Sequence, residues 1–106
     1  MKGQPVEFLE WVAHDLASAM DFYDSWLING ADRFFARFQE TVVRIEWNPE
    51  QYPKKHRFFH RAIIRRTYFG VYFAIEPGIT TVVAVLDLRQ DPRGLRALLK
   101  LRASKR

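Results

Sequence analysis

FGVYFAIEPGITTVVAVLDL, residues Phe69–Leu88, is the stretch on which the fold turns. Its first part, Phe69 to Glu76, is aromatic and β-branched, the residue types that suit a pleated, half-buried surface. Pro77-Gly78 is a turn dipeptide, because proline presets one backbone angle and glycine accepts the left-handed one. The chain then resumes as a strand from Thr80 to Leu88, so the two segments are expected to form a hairpin. The second segment contains Val82-Val83-Ala84-Val85-Leu86 without a polar interruption. Such a run is expected of a strand covered on both faces.

Upstream, Phe59 to Thr67 reads as a third strand. Period two places Arg61, Ile63 and Arg65 on one face and Ala62, Ile64 and Arg66 on the other. Arg65 and Arg66 are therefore expected to point opposite ways, one to solvent or a partner, the other snorkelling or paired with an acid such as Glu46. Glu50 to Arg57, with Pro49 and Pro53 nearby and the run Lys54-Lys55-His56-Arg57, reads as a solvated basic loop. Before it the period changes. Val12, Leu16, Met20, Tyr23 and Leu27 share one helical face, with Asp15, Ser18, Asp21 and Asp24 on much of the remainder. Asn29-Gly30 ends this helix, since both residues tolerate a left-handed conformation. A second helix is expected from Ala31 to Trp47. Phe35, Phe38, Val42 and Ile45 form its apolar stripe, Phe34 flanks it, and Asn48-Pro49 stops it. Pro5 to Leu9 reads as a short opening strand.

Downstream, Asp91-Pro92 closes the last strand, and Leu95, Leu98, Leu99 and Leu101 can line a short final helix. If that helix stays off the sheet, its leucines form an exposed stripe of the kind that marks an interaction site. The expected order is β-α-α-β-β-β with a C-terminal helix: one α+β domain over residues 1–106, its antiparallel sheet covered on one face by a helical hairpin.

Composition narrows the function classes. The chain has 106 residues, 48% of them hydrophobic, and nine Phe, four Tyr and three Trp, enough large side chains to build a core at this size. It has no cysteine, which excludes disulfides, zinc–thiolate sites and a cysteine nucleophile. No apolar stretch is long enough to span a membrane, no signal peptide is apparent, and a cytosolic protein is expected. Neither a metal site nor a cofactor motif is visible. Seventeen Lys+Arg against 12 Asp+Glu give a net charge of +5, which suits an acidic partner, nucleic acid or protein.

The segments "NPEQYP", "RAIIRRTYFGVYFAIE", the Pro-Gly turn and "VVAVLDLRQDPR" together resemble the RelE/ParE superfamily of toxins, and "FLEWVAHDL…FYDSW" is similar to that family's first strand and helix. The likeness runs from Val6 to about Arg93 and rests on the order and spacing of these series rather than on one motif. It implies a toxin of a type II toxin–antitoxin system, neutralised by a cognate antitoxin with which it can form a hetero-oligomer. Two mechanisms come with it. ParE-like members, the plasmid-stabilisation branch, poison DNA gyrase. RelE-like members cut messenger RNA on the ribosome.

RNA cleavage through the 2′-hydroxyl needs a base, an acid and cations to hold the charge that builds on phosphorus. Cations are plentiful at Lys54, Lys55, Arg61, Arg65, Arg66, Arg89 and Arg93, and His56 and His60 are the titratable candidates. Arg65, Arg89 and His60 are thus the candidate catalytic residues. The resemblance qualifies them. The strand arginine of ribonuclease members falls at Gly70, and the tail "RGLRALLKLRASKR" contains neither Tyr nor His. Asp87 stands where many members carry a His, Leu95 where a Trp is frequent, and only Arg89 matches a family arginine that contacts phosphate. A ParE-like binding protein is the resulting expectation, with an RNA-cutting enzyme as its rival. Arg65, Arg66, Arg89, Arg93, Leu95 and Leu98 are its expected partner-binding residues. Trp11, Trp26 and Trp47, on helices, are expected to pack at the core edge or against the antitoxin rather than to stack bases.

Overall fold

The hairpin is built as its residues require. In the computed structural model, which describes residues 3–104, β4 (Phe69–Glu76) turns through Pro77 and Gly78 into β5 (Ile79–Asp87), with Glu76 opposite Ile79 and Gly78 at a φ of 78°. Around it lie β1 (Val6–Phe8), α1 (Trp11–Asp24), α2 (Gly30–Trp47), a single 3-10 turn (Pro49–Gln51), β2 (Lys54–His56), β3 (Phe59–Ile63) and α3 (Pro92–Ser104). The strand order is β1-β5-β4-β3-β2. β1 runs parallel to β5 and the other pairings are antiparallel, so the sheet is mixed rather than wholly antiparallel.

Both faces of the sheet are covered. α1 and α2 pack on one face through Val12, Ala19, Tyr23, Phe34, Phe38 and Ile45, against Val71, Phe73, Val82 and Val85. α3 folds back on the other, where Leu95 and Leu99 meet Phe59, Tyr72, Val83, Ala84 and Leu86. The uninterrupted run in β5 serves both layers, and a bulge helps it do so. Tyr72 pairs with Ala84 but Phe73 with Val82, leaving Val83 as the extra residue, so Val83 and Ala84 both join the α3 side.

Four local expectations are corrected. β3 ends at Ile63, and residues 64–68 form a turn closed by the Thr67 hydroxyl, which donates to the Ile64 carbonyl and accepts the Phe69 N–H. Arg65 and Arg66 therefore occupy a turn, not opposite faces of a strand. Lys54–His56 is an edge strand on β3 rather than a loop. On α2 the core residue is Phe34, which stacks on Tyr23 at 5.3 Å, while Phe35 is at the exposed edge. Finally, α1 stops at Asp24 and Asn29 takes the left-handed conformation (φ 56°) directly before α2. Gly30 then lies against α1 so closely that a Cβ there would sit 2.1 Å from the Tyr23 carbonyl oxygen.

Asp15, expected on the wet side of α1, is buried. β1 pairs only with Thr80–Val82 of β5 and its last link is the Leu9 N–H to the Val82 carbonyl. Beyond that point the Val85 N–H donates to Asp15 Oδ2 (2.9 Å) and the Val83 carbonyl accepts from Arg102 Nη1 (3.0 Å). Arg102 forks onto Asp15 through Nη1–Oδ2 (2.6 Å) and Nη2–Oδ1 (2.9 Å), with its guanidinium 5.5 Å from the Trp11 ring centre. Removing one partner leaves a buried charge, so Arg102→Leu should cost about 3–5 kcal/mol in urea unfolding. Asp15→Leu/Arg102→Leu should recover only part of that loss, because two backbone groups of β5 remain unpartnered. Wild-type stability of the double variant would show that these groups need no closure.

Candidate functional site

The fold sorts the basic residues into separate places. The first lies where the β3–β4 turn meets the helical hairpin. Arg66 adopts φ 61° and shares a small pocket with Arg33 and Arg37 of α2, next to Tyr23 and Thr67. Tyr23 fixes this junction by accepting the Tyr68 N–H on its hydroxyl at 2.9 Å. Arg65 is exposed on the same turn.

The second place is the end of β5. Arg89 donates through Nε and Nη2 to the two carboxylate oxygens of Asp87 (3.0 and 2.7 Å), and its backbone N–H adds a third bond at 2.9 Å. Its guanidinium lies 4.1 Å from the Tyr68 ring centre and 5.0 Å from that of Phe22. The hydrogen bond from Arg89 holds the Asp87 carboxyl below its ordinary value. Arg93 is exposed and pairs loosely with Asp91 at 3.4 Å.

The third place was not foreseen. Arg61, on the face of β3 turned toward α3, stands opposite Tyr72 in the register. With Lys55 and His56 of β2 and Arg96 of α3, these residues line a pocket of about 170 Å³ whose apolar wall is Leu88, Leu95 and Leu99. The register of β2 on β3 shifts between Lys54 and His56, so Lys55 is the extra, bulged residue. Arg61 Nε and His56 Nε2 are buried with no hydrogen-bond partner among the described residues. Burial, and then Arg57 and Arg96, push the His56 imidazole below its ordinary value.

His60 is not with them. It is buried on the opposite face, its Nδ1 2.7 Å from the Tyr52 carbonyl and its ring stacked on Phe73, the position of a core histidine. The three candidate catalytic residues Arg65, Arg89 and His60 thus fall in a turn, at the end of β5 and in the core, with no contact joining them. Leu95 is buried beneath the sheet and Leu98 is half-buried, because α3 folds back; the exposed leucine stripe does not form, although Leu101 remains open. Trp11 packs at the core edge on Arg102; Trp26, in the turn after α1 rather than on a helix, touches Phe22 and Tyr23 but is exposed, as is Trp47. Among the described residues no group of three or more His, Asp or Glu is placed to hold a metal, and no helix is long and apolar enough to cross a membrane.

With this geometry in view, the comparison with solved structures is informative. The fold is similar to that of a chain in the chromosomal ParDE TA (toxin–antitoxin) system from P. aeruginosa, with a TM-score of 0.70 over 80% of this chain and 96% of that one, at 17% identity. The two chains share a fold. No protein-family model matches the sequence, and no curated protein matches it.

Two measurements probe these places. An arginine at positive φ is strained, so Arg66→Gly should leave the protein as stable or stabilise it by up to about 1 kcal/mol; a loss would mean that the Arg66 side chain supports the turn. Asp87 titrates lower folded than unfolded, so its contribution is present above the unfolded value near pH 4 and lost as pH falls through the folded one. Asp87→Asn should flatten the acid limb of stability by less than about 1 kcal/mol, the scale of a half-exposed pair. An acid limb identical to wild type would refute the coupling.

Proposed function

We propose that this chain is the toxin of a type II toxin–antitoxin pair, of the ParE type, which inhibits DNA gyrase by binding it and is held inert by a cognate antitoxin. The observation that carries this reading is the fold shared with a chain of a ParDE system. The chemistry of the site agrees with a binding role. Arg89, the residue matching a phosphate-contacting arginine, has Nε and Nη2 committed to Asp87 and its face to Tyr68. That arrangement neutralises its charge locally and leaves it little to offer a pentacovalent phosphorus.

Two surfaces suit partners. Arg65, Arg66 and Arg93 are exposed and carry part of the net +5 charge. Between β1 and α2, Phe8, Phe35, Phe38, Val42 and Val43 line an open groove with Phe8, Phe35 and Val43 exposed, the kind of surface that takes the apolar face of an amphipathic segment. We assign the groove to the antitoxin. Leu95 contributes to neither surface while α3 is docked.

RNA cutting, the second reading, draws on His56, a titratable group inside the cationic pocket. Expression in bacteria separates the two. Filamentation with DNA-damage signalling is the outcome expected here; rapid translation arrest with cut transcripts would transfer the assignment to the nuclease, and growth without any defect would sink both. For the antitoxin groove, Val43→Asp should leave folding intact, since Val43 is mostly exposed, and weaken protection by the co-expressed antitoxin by about tenfold or more. Undiminished protection would remove the groove from the interface.

A further inference from the structure

We propose that the end of the molecule where the α1–α2 turn meets the β3–β4 turn is a docking surface for an acidic segment of a protein partner. The surface depends on neither the gyrase reading nor the antitoxin groove. Its centre is Tyr23. The Tyr23 hydroxyl accepts the Tyr68 N–H at 2.9 Å, and the Trp26 ring centre lies 5.8 Å from that of Tyr23. Arg33 and Arg37 of α2 and Arg66 of the β3–β4 turn share with Tyr23 a pocket of about 90 Å³, backed by Leu27 and Phe34.

The arginines are open to a ligand. Arg33 and Arg66 are exposed and form no ion pair among the described residues, and Arg37 reaches only Glu40, at 4.0 Å. Asp24, the acid beside the α1–α2 turn, is engaged elsewhere, its Oδ1 accepting the Ala31 N–H at 3.2 Å. By contrast, the exposed Arg89 and Arg93 are each held by an acid two residues away. Arg66 also stands at φ 61°, a conformation that glycine adopts without strain. The turn thus gives up backbone stability at the residue that completes the arginine cluster.

Size and chemistry name the occupant. A space of about 90 Å³ is smaller than the roughly 150 Å³ in which a protein cavity holds a benzene ring, so it takes a carboxylate but not a nucleobase. Planar guanidinium groups match a carboxylate through paired N–H bonds. Beside the pocket the surface becomes apolar: Trp26 and Tyr68 are exposed, and Ile28, in the same turn as Trp26, is 87% exposed. Trp, Tyr and Arg together are the composition of binding hot spots. An acidic segment with an apolar residue satisfies both halves, its carboxylate among the arginines and its apolar side chain on Trp26 and Ile28. Arg33 and Arg37 flank the buried stripe of α2 (Phe34, Phe38, Ile45) on one side, and Phe35 and Val43 flank it on the other. A segment seated here therefore leaves the apolar groove free.

Nuclear magnetic resonance of the full chain tests the surface, with a short peptide of alternating glutamate and leucine as the probe. The peptide should shift the Trp26 indole N–H and the Arg33 and Arg66 Nε–H signals, saturably and with weakening at high salt. Arg66→Gly relieves strain rather than adding it, so it should weaken the peptide by about tenfold while the chain stays folded. Ile28→Ser, at an exposed side chain, should weaken it several-fold. Arg93→Gln removes the same charge from another place and Val43→Ser alters the groove; both should bind as wild type does. A loss in Arg93→Gln equal to that in Arg66→Gly would reduce the effect to net charge and overturn the surface. An equal loss in Val43→Ser would move the peptide to the groove. Tighter binding of a single-stranded oligonucleotide at the same signals would overturn the assignment in favour of nucleic acid. Trp26 and Arg66 signals unmoved by the peptide would refute the surface altogether.

Discussion

The contact between Asp15 and Arg102 is the constraint on which the two-sided architecture depends. β5 has nine residues, but its parallel neighbour β1 covers only three of them. A strand continuing past its partner inside a protein exposes backbone groups that must be satisfied by something other than water. Here α1 supplies a carboxylate to the Val85 N–H and α3 a guanidinium to the Val83 carbonyl, and the two side chains neutralise each other. Helices from opposite faces of the sheet thus meet around its edge. A buried ion pair adds little net stability over an apolar one, but it is costly to half-break. Its effect is to fix α3 in one register. That register places Leu95 and Leu99 on the sheet and brings Arg96 to the cationic pocket.

The same docking redistributes the positive charge that dominates the composition. Read along the chain, arginines and lysines from Lys54 to Arg93 suggest a continuous basic surface. In three dimensions they separate. Arg66 joins the α2 arginines at one end, Arg89 is sandwiched by aromatic rings against α1, and Arg61 faces α3 on the other side of the sheet. Catalysis of phosphodiester cleavage would require an acid, a base and cations within contact of one phosphorus. Arg65, Arg89 and His60 are too dispersed to supply them. A binding role places no such demand, because separate basic and apolar patches can engage different parts of one partner.

Much of the fold was legible because it is written in local periodicity. The Pro-Gly hairpin, the doubly covered β5 and the two helices all rest on patterns that tertiary context reinforces. The failures are equally physical. Phe34 and Phe35 lie 100° apart on α2, and only the stacking partner Tyr23 decides which is buried. β2 is rich in lysine and has weak strand propensity, so it exists through its pairing with β3. Arg65 and Arg66 continue an alternating pattern with no glycine or proline to announce a turn, and the turn is made by the Thr67 hydroxyl. Asp15 is buried although a charge on a helix is ordinarily wet. Its spacing says otherwise: Val12, Asp15, Ala19 and Tyr23 are the buried residues of α1, and Leu95, Leu99 and Arg102 those of α3. Two opposite charges, each in register with an apolar stripe, are a signal that a buried pair is available.

The cationic pocket was hidden for a different reason. It is assembled from β2, β3, β4 and α3, and no local pattern joins Lys55 to Arg96 across 41 residues of chain. One trace of it was nevertheless present, at Gly70. In space, the same glycine clears the path along which the Arg61 stem lies. A Cβ at residue 70 would press on the Arg61 stem at 3.2 and 3.3 Å, so the stem would have to give by a few tenths of an ångström.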